Sequence, residues 1–311
     1  MNTHGIKAAT TLTGLSAHVI RVWEKRYGAV KPQRTETNRR LYTDTDISRL
    51  QTLSKLTQKG YTIGHIAKLQ DAELDGLLHG IATQESDPRV AAAAGEVSHL
   101  IQAAATAIRN YDQTALEGIF DEASLTLGYS GLLELVVIPV IQQVGNDWHN
   151  GSLTSAGEHA ATSFIKQYLA NSMRSFTPEE NAPILIVTTP AGQLHELGAY
   201  IGARQARKSG WHIVYLGPSL PADEIAGAAL RTRADAVLLS IVYPADDPQV
   251  ELELLRLRKL VRKGLPILVG GSGIEGYRDT LAKIDAVTVP TISGLTPELL
   301  NIRNHRATAP H

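Results

Sequence analysis

The spacing of apolar positions changes twice along the chain. In the first 83 residues it predicts short helices and one short strand pair. Helical spacing then extends over longer stretches, and four helices are predicted, at 90–109, 112–127, 131–149 and 155–175. Beyond residue 183, apolar runs alternate with helices, and strands are predicted near 184–189, 212–216, 236–242, 266–270 and 285–289. Such alternation is typical of a parallel α/β sheet.

Two polar stretches separate these regions. Residues 84–89 follow the short helices, and residues 177–182 precede the first predicted strand. The predicted fold class is therefore multidomain, α and α/β. The three predicted domains are a winged helix at 1–83, a four-helix bundle at 90–176 and a Rossmann-like (flavodoxin-like) domain at 183–311.

The composition narrows the class of protein. The 311 residues include no cysteine, which excludes disulfides, thiolate metal sites and cysteine nucleophiles and agrees with a reducing cytoplasm. The first ten residues lack the apolar core of a signal peptide, and no apolar run approaches membrane-spanning length. We therefore expect a cytoplasmic protein with no membrane partner.

The net charge of −1 hides an asymmetry between the two ends of the chain. Residues 1–60 contain eleven Lys or Arg and four Asp or Glu, a net charge of +7, so the remainder carries −8. A basic block at the start of an acidic chain indicates a nucleic-acid-binding region.

The basic block has the layout of a helix-turn-helix. Residues 6–15 form a short helix-like stretch, Ser16 is a good N-cap, and the helix AHVIRVWEKRYG ends at Gly28. Val19, Ile20 and Trp23 are expected to pack inward, and residues 32–42 to form a two-stranded wing. The predicted DNA-binding residues are Arg21, Lys25, Arg26, Tyr27, Arg34, Arg39, Arg40 and Tyr42.

Residues 6–75 resemble the MerR family of winged-helix transcription regulators. The matching residues are Ala8-Ala9, the 21–27 run RVWEKRY, Arg39 to Tyr42, and Asp44-x-Asp46-Ile47. The resemblance implies operator double-stranded DNA as a partner and at least a dimer. The family's long C-terminal dimerisation helix is not evident here, so dimer contacts must come from elsewhere.

His195 lies at a predicted strand-to-helix junction, where doubly wound sheets hold ligands. Gln193-x-His195-x-x-Gly198 is followed after 41 residues by Ser240-x-Val242, and after 27 more by Gly270-Gly271. These three signatures resemble those of cobalamin-binding Rossmann-like domains. The resemblance implies that His195 is the lower axial ligand of cobalt, because a neutral imidazole binds this metal well. We expect Gly270 and Gly271 to leave room for the cofactor tail beside Ser240.

One position departs from that pattern. The family's acid, two residues before the histidine, is Gln193 here, and an amide can offer the imidazole only a hydrogen bond. The electronic tuning of cobalt is therefore open. Glu196 faces either the cofactor or solvent, and the sequence favours neither.

Trp148-His149 and Glu158-His159 flank a short predicted turn in the bundle. Alone they indicate a helix cap, exposed histidines and a core tryptophan. Together with PAGQLHELGA they resemble the light-sensing MerR-type cobalamin repressors of the CarH/LitR group. The resemblance implies that Trp148 packs over the adenosyl group of adenosylcobalamin, that Glu158 and His159 contact it, and that His149 ligates cobalt after illumination. The implied cofactor-binding set is Trp148, His149, Glu158, His159, Gln193, His195, Glu196, Gly198, Ser240, Val242, Gly270 and Gly271, with His195 and His149 as metal ligands.

The resemblance implies a photoreceptor and repressor that is not an enzyme. It would bind its operator in the dark as a cofactor-assembled homo-oligomer, dimer to tetramer, and release it in light. Two alternatives stay open: a light-independent cobalamin-sensing or cofactor-free regulator, and a cobalamin-carrying methyltransferase or mutase subunit.

Overall fold

The chain folds into two compact units. A computed structural model describes residues 2–35, 38–78, 88–172 and 181–308. One unit spans residues 1–165 and the other residues 166–311. The regions predicted as winged helix and bundle therefore lie in the same unit, and the last turns of the fourth bundle helix belong to the second.

The first unit begins with short helices and a small antiparallel sheet. The helices are α1 (Ile6–Thr13), α2 (Ala17–Val22), α3 (Asp44–Gln58), α4 (Ile63–Ile66) and α5 (Asp71–Leu78), and a π turn, Trp23–Tyr27, extends α2. The strands are β1 (Thr3–His4), β2 (Gln33–Arg34) and β3 (Arg40–Thr43), in the order β1-β3-β2. The Ser16 hydroxyl accepts a hydrogen bond from the Val19 amide, and Gly28 ends the π turn in the left-handed conformation, as predicted.

Two sides of the recognition helix, α2 with its π turn, have different surroundings. Val19, Ile20 and Trp23 are buried in the core of this region, and α2 lies against α1 and α7. Arg21 and Lys25 face solvent. The predicted division into an inward and an outward face is therefore what the structure has.

Four helices follow in the bundle. They are α6 (Pro88–Arg109), α7 (Gln113–Gly131), α8 (Ile138–His149) and α9 (Ser155–Ser172), with a π-helical stretch, Leu132–Val137, between α7 and α8. The predicted gap between the second and third helices is a break inside α7, because Gly128 has the non-helical angles φ 69° and ψ 172°. Asp112 is the N-cap of α7, because its carboxylate accepts a hydrogen bond from the Ala115 amide.

One helical stretch among the described residues, Gln113–His149, is long and apolar enough to cross a membrane by length and composition alone. Its most apolar 18-residue window has a mean hydropathy of 1.7, so the prediction that no run approaches membrane-spanning length is wrong. More than half of that window, 56%, is buried inside the protein, and Phe120, Leu132 and Val136 are fully covered. The stretch therefore has the features of a bundle core.

The second unit contains a five-stranded parallel sheet between two layers of helices. Its strands are β4 (Ile184–Pro190), β5 (His212–Leu220), β6 (Ala236–Ser240), β7 (Ile267–Gly270) and β8 (Val287–Val289), in the order β5-β4-β6-β7-β8. Its helices are α10 (Leu197–Lys208), α11 (Ala222–Thr232), α12 (Pro248–Leu260), α13 (Arg278–Lys283) and α14 (Ile292–Thr308). Helices α10 and α14 cover one face and α11, α12 and α13 the other, which confirms the predicted Rossmann-like architecture.

The chain changes direction across the sheet beside β4. From β4 it moves outward to β5 and then returns to β6 on the other side of β4. In such sheets the crevice at the carboxyl ends of the two strands that flank this reversal holds ligands. The loops after β4 and β6 therefore form the edge at which a site is expected.

Candidate functional sites

His195 lies at that edge of the sheet. It belongs to the loop between β4 and α10, and its imidazole is exposed. The ring packs edge-on against Tyr243, with 6.2 Å between ring centroids. Within the described part of the chain, no hydrogen bond reaches the His195 ring, so both ring nitrogens are available to a ligand.

Gln193 is turned away from the histidine. It is fully buried, and its Oε1 atom accepts hydrogen bonds from the backbone amides of Val242 and Tyr243, at 2.9 and 3.1 Å. Its Nε2 atom donates to the Pro244 carbonyl at 2.7 Å. The expected hydrogen bond from Gln193 to the imidazole is therefore absent among the described contacts. Instead, the amide joins the loop after β4 to the loop after β6.

Ser240, the last residue of β6, has a side-chain hydroxyl that is not satisfied by the described part of the protein. Its Oγ atom is buried and has no hydrogen-bond partner among the described residues. A Cβ atom on Gly198, in the first turn of α10, would lie 2.6 Å from this oxygen. The missing side chain at Gly198 therefore lets α10 lie directly against Ser240. An uncompensated buried hydroxyl costs free energy, which favours a site completed by another molecule.

Gly270 and Gly271 are needed for a reason that the sequence did not predict. A Cβ atom on Gly271 would lie 2.2 Å from the Ile241 carbonyl oxygen, and one on Gly270 would lie 3.0 Å from that of Val289. Gly271 also has a φ of 108°, which other residues rarely adopt. The space we assigned to a cofactor tail is thus occupied in part by protein backbone. The glycines bring the loops after β6 and β7 together beside Val242, which is half-buried.

Glu196 is held within the second unit. Its carboxylate accepts hydrogen bonds from Lys166 Nζ at 2.8 Å and from the Tyr215 hydroxyl at 2.5 Å. Burial raises the pKa of Glu196 and these two hydrogen bonds lower it, with a net downward shift. Burial, followed by the bond to Glu196, raises the pKa of Tyr215. Both carboxylate oxygens are thus engaged, and sequence reasoning missed Lys166 and Tyr215 because neither belongs to a motif.

The four bundle residues lie in the first unit near the turn between α8 and α9. Trp148 is 39% exposed, and its indole N–H donates to the Ser155 hydroxyl at 3.2 Å. His149 is exposed, with its ring centroid 6.5 Å from that of Trp148. Glu158 accepts from the Thr162 hydroxyl and lies 3.5 Å from the exposed His159 imidazole. An exposed tryptophan is uncommon, and it offers an aromatic face that the protein core does not use.

The basic face consists of the recognition helix and the wing. Its exposed members are Arg21, Lys25, Arg26, Arg34 and Arg39. Tyr27 is half-buried beneath the Arg26 guanidinium, 5.3 Å from its ring centroid. Exposed guanidinium and ammonium groups of this kind can contact phosphates and base edges.

Arg40 has a structural partner that the sequence did not indicate. Its Nε donates to Glu24 Oε2 at 2.6 Å, and this hydrogen bond raises the pKa of Arg40. Arg34 lies 4.0 Å from the other Glu24 oxygen and donates to the Asn38 side chain at 2.7 Å. Glu24 therefore links the wing to the recognition helix. Arg40 stabilises this link and so has a structural role in the basic face.

The prediction that Tyr42 binds DNA is wrong. Tyr42 is 0% exposed and packs in the core of the winged helix, because β3 directs it away from the wing surface. Burial, followed by the charge of Glu24, raises its pKa to about 12. Its hydroxyl has no hydrogen-bond partner in the described part of the chain.

The two kinds of site define a class of protein. Residues 5–73 match the model of the MerR HTH family regulatory proteins, and residues 100–171 and 183–294 each match a B12 binding domain. The molecule is therefore a transcription regulator that binds DNA through a winged helix and binds cobalamin.

Two curated relatives identify the family. The chain is 31% identical over 278 residues to the HTH-type transcriptional repressor CarH of Myxococcus xanthus. The aligned region covers 89% of this chain and 91% of the relative. The chain is 23% identical over 300 residues to the HTH-type transcriptional repressor CarA of the same organism, covering 96% and 97%. The chain belongs to the CarH-like family of MerR-type B12-binding regulators. The prediction of a regulator that is not an enzyme is confirmed.

One solved structure has a related fold. The monomethylamine corrinoid protein of Methanosarcina barkeri matches with a TM-score of 0.53 and 15% identity, covering 66% of this chain and 99% of that one. At this identity the likeness is one of fold alone, and it agrees with helices preceding a Rossmann-like sheet.

The residues at the sheet edge fit a cobalamin. The exposed His195 imidazole is free of hydrogen bonds from described residues and is a suitable cobalt ligand. The unpartnered Ser240 hydroxyl can bond a polar group of the cofactor, beside the surface that Gly198 leaves without a side chain. Gln193, by contrast, contributes through the protein backbone that it holds.

Proposed function

We propose that this regulator is a photoreceptor that uses adenosylcobalamin and represses transcription in the dark. The observation that carries the proposal is the pair of exposed side chains Trp148 and His149 at the end of α8. One offers an aromatic surface and the other an imidazole that can bind a metal ion, and neither is buried in the core of the first unit. Adenosylcobalamin supplies a cobalt–carbon bond that light breaks.

Each residue has a distinct assigned role. His195 would ligate cobalt in the dark. Trp148 would pack against the adenosyl group, and Glu158 and His159 would provide polar contacts to it. His149 would ligate cobalt after illumination, which would give the lit state its own stabilising contact. Ser240 would bond a polar group of the cofactor, beside the surface that Gly198 leaves without a side chain.

The repressor is proposed to bind its operator as a homo-oligomer, dimer to tetramer, assembled when the cofactor is present. Several winged helices on one assembly bind repeated half-sites with an effective concentration that one winged helix lacks. Loss of the oligomer in light then lowers DNA affinity without a change at the recognition helix. A DNA-bound regulator of this kind acts in the cytoplasm.

A light-independent cobalamin sensor is the second candidate. It is favoured by Gln193, which stands where the cobalamin-binding pattern has an acid and which bonds to residues 242–244 rather than to His195. Without a carboxylate partner the imidazole is a less basic ligand. Such a sensor would bind cobalamin and DNA but ignore light.

The two candidates differ in one experiment. The full-length protein is loaded with adenosylcobalamin in the dark, and its absorption spectrum and gel-filtration volume are recorded before and after green light. DNA binding is measured with a duplex selected by the wild-type protein from a random-sequence pool. The photoreceptor proposal expects a changed spectrum, a smaller species and weaker DNA binding after light. A changed spectrum with constant size and DNA affinity supports the light-independent sensor.

Histidine variants test the two assigned cobalt ligands. His195→Ala is expected to change the dark spectrum and weaken cofactor binding, whereas His149→Ala changes only the lit spectrum. His212→Ala is the matched control, because His212 is also exposed but lies at the amino end of β5, on the opposite edge of the sheet. Equal dark spectra for His195→Ala and His212→Ala would contradict the lower-ligand assignment.

Trp148→Ala tests the adenosyl contact. Because Trp148 is 39% exposed, its loss is expected to leave the melting temperature of the cofactor-free protein nearly unchanged. It should abolish cofactor-dependent oligomers in gel filtration. A loss of several degrees without cofactor would instead indicate a packing role.

A further inference from the structure

The recognition helix is attached to the bundle at a break in α7. Gly128 lies inside α7 with φ 69° and ψ 172°, angles that residues with a side chain rarely adopt. Where a helix is interrupted, the carbonyl groups of the preceding turn lose their usual amide partners. Leu125 belongs to that turn, and its carbonyl oxygen accepts the indole N–H of Trp23 at 2.8 Å. Trp23 therefore caps the first half of α7.

The packing around the break comes from the winged helix as well. A Cβ atom on Gly128 would lie 3.4 Å from Leu15, 3.7 Å from the Trp23 ring and 3.8 Å from the Thr57 hydroxyl. Trp23 itself is 0% exposed. Three different segments of the winged helix thus meet at one glycine of the bundle.

Although Trp23 is buried, it lies on the recognition helix, next to the side chains that form the basic face. It is the first residue of the π turn that carries Lys25, Arg26 and Tyr27. A change in the backbone of α7 near Gly128 would move the acceptor of the Trp23 hydrogen bond. The recognition helix would then lose a contact that fixes its orientation.

We propose that Trp23 is a positioning residue for DNA binding, which fixes the recognition helix by capping the broken turn of α7 at Leu125. The bundle thereby has a direct mechanical connection to the DNA-binding surface within the first unit. This role concerns DNA binding itself and holds for either function proposed above.

The first test changes the bundle and measures the recognition helix. Gly128→Ala places a side chain where φ is positive, so the backbone of α7 must rearrange. Amide hydrogen exchange of the full-length protein is expected to become at least about tenfold faster at residues 17–27, although these lie about a hundred residues away in sequence. Binding to the selected duplex should weaken by about three- to tenfold. Gly118→Ala is the matched control, on the same helix and with open space around its Cβ position.

The second test removes only the donor. Trp23→Phe keeps an aromatic ring in the core but cannot cap Leu125, and a hydrogen bond of ordinary strength is worth about a three- to tenfold change in affinity. Trp211→Phe is its control, since Trp211 is equally buried and its indole N–H has no partner among the described residues. This variant also covers the case in which Gly128→Ala does not fold.

The outcomes are distinct. Faster exchange at residues 17–27 and weaker DNA binding in Gly128→Ala, together with weaker DNA binding in Trp23→Phe and with neither control affected, support the proposal. If Gly128→Ala does not fold, the Trp23→Phe result alone decides. If the folded Gly128→Ala protein changes exchange only within residues 113–137 and binds DNA like Gly118→Ala, the proposal is wrong. It is equally wrong if Trp23→Phe binds DNA like Trp211→Phe.

Discussion

A Cβ atom on Gly198 would lie 2.6 Å from the Oγ atom of Ser240. The two residues are 42 positions apart in sequence, and they meet because α10 crosses the carboxyl end of β6. This contact places the first turn of α10 against the one buried serine or threonine hydroxyl that lacks a partner among the described residues.

Gly198→Ala is expected to destabilise the protein by about 1–3 kcal/mol, because the added methyl group overlaps a buried, short side chain. It should also weaken cobalamin binding, since Ser240 must move. Gly227→Ala on α11 is the control, with nothing within 4 Å of its Cβ position. Urea unfolding and cobalamin titration followed by absorbance measure both effects. Equal stability of the two variants would show that the Gly198 contact relaxes at no cost.

Gln193→Glu keeps the shape of the side chain but removes the donor to the Pro244 carbonyl. A buried carboxylate would then face that carbonyl oxygen, and we expect a loss of about 1–3 kcal/mol in the free energy of unfolding. Gln205→Glu is a matched control, because Gln205 is 9% exposed and donates to the Thr296 hydroxyl, which can turn and donate in return. Hydrogen exchange of residues 241–246 should quicken only in Gln193→Glu. Unchanged exchange there would contradict the role of Gln193 in joining the two loops.

Arg39 and Arg40 are neighbours in the wing with different expected roles. Arg39 is exposed, so Arg39→Ala should weaken DNA binding and lower the slope of log affinity against log salt by about one, with no change in melting temperature. Arg40→Ala leaves the Glu24 carboxylate, 15% exposed, without its close partner, so the melting temperature should fall as well. Salt titrations of DNA binding and thermal unfolding of both variants separate the two roles. A melting temperature unaffected by Arg40→Ala would remove the structural role.

The raised pKa of Tyr42 predicts a loss of protein stability at alkaline pH. Its pKa is raised to about 12 in the folded protein from 10.0, so the unfolded chain loses the phenol proton first as pH rises. The stability that this group contributes is complete below pH 10 and is lost between pH 10 and about 12. Between pH 8 and pH 11 Tyr42→Phe should therefore show a smaller fall in the free energy of unfolding, by about 1–1.5 kcal/mol. At pH 7 it should be at least as stable as wild type, because the hydroxyl has no partner among the described residues. Parallel urea titrations at pH 8 and pH 11 measure this, and equal pH dependence would show that Tyr42 ionises without cost.

Local patterns in the sequence were sufficient for the order of the helices and strands. Apolar runs predict β4 to β8 because both faces of a parallel sheet are covered by helices. The recurrence of His195, Ser240 and Gly270 near strand ends also predicts that they share one edge, since parallel strands all end on the same side. The exposed and buried sides of the recognition helix follow from its 3.6-residue period.

Such local patterns did not predict the contacts between segments that are distant in sequence. Tyr42 reads as a wing residue, but the direction of β3 places it in the core. Gln193 reads as a partner for its neighbour His195, yet it bonds to residues 49 to 51 positions away. Glu196 and Trp23 also have partners remote in sequence, Lys166 at 30 positions and Leu125 at 102. Periodicity and spacing are local properties of the chain and determined its elements, its modules and the edge that holds the candidate site. Which polar atoms pair, and which remain unpaired as Ser240 does, depends on how those elements pack, and only the tertiary structure decided it.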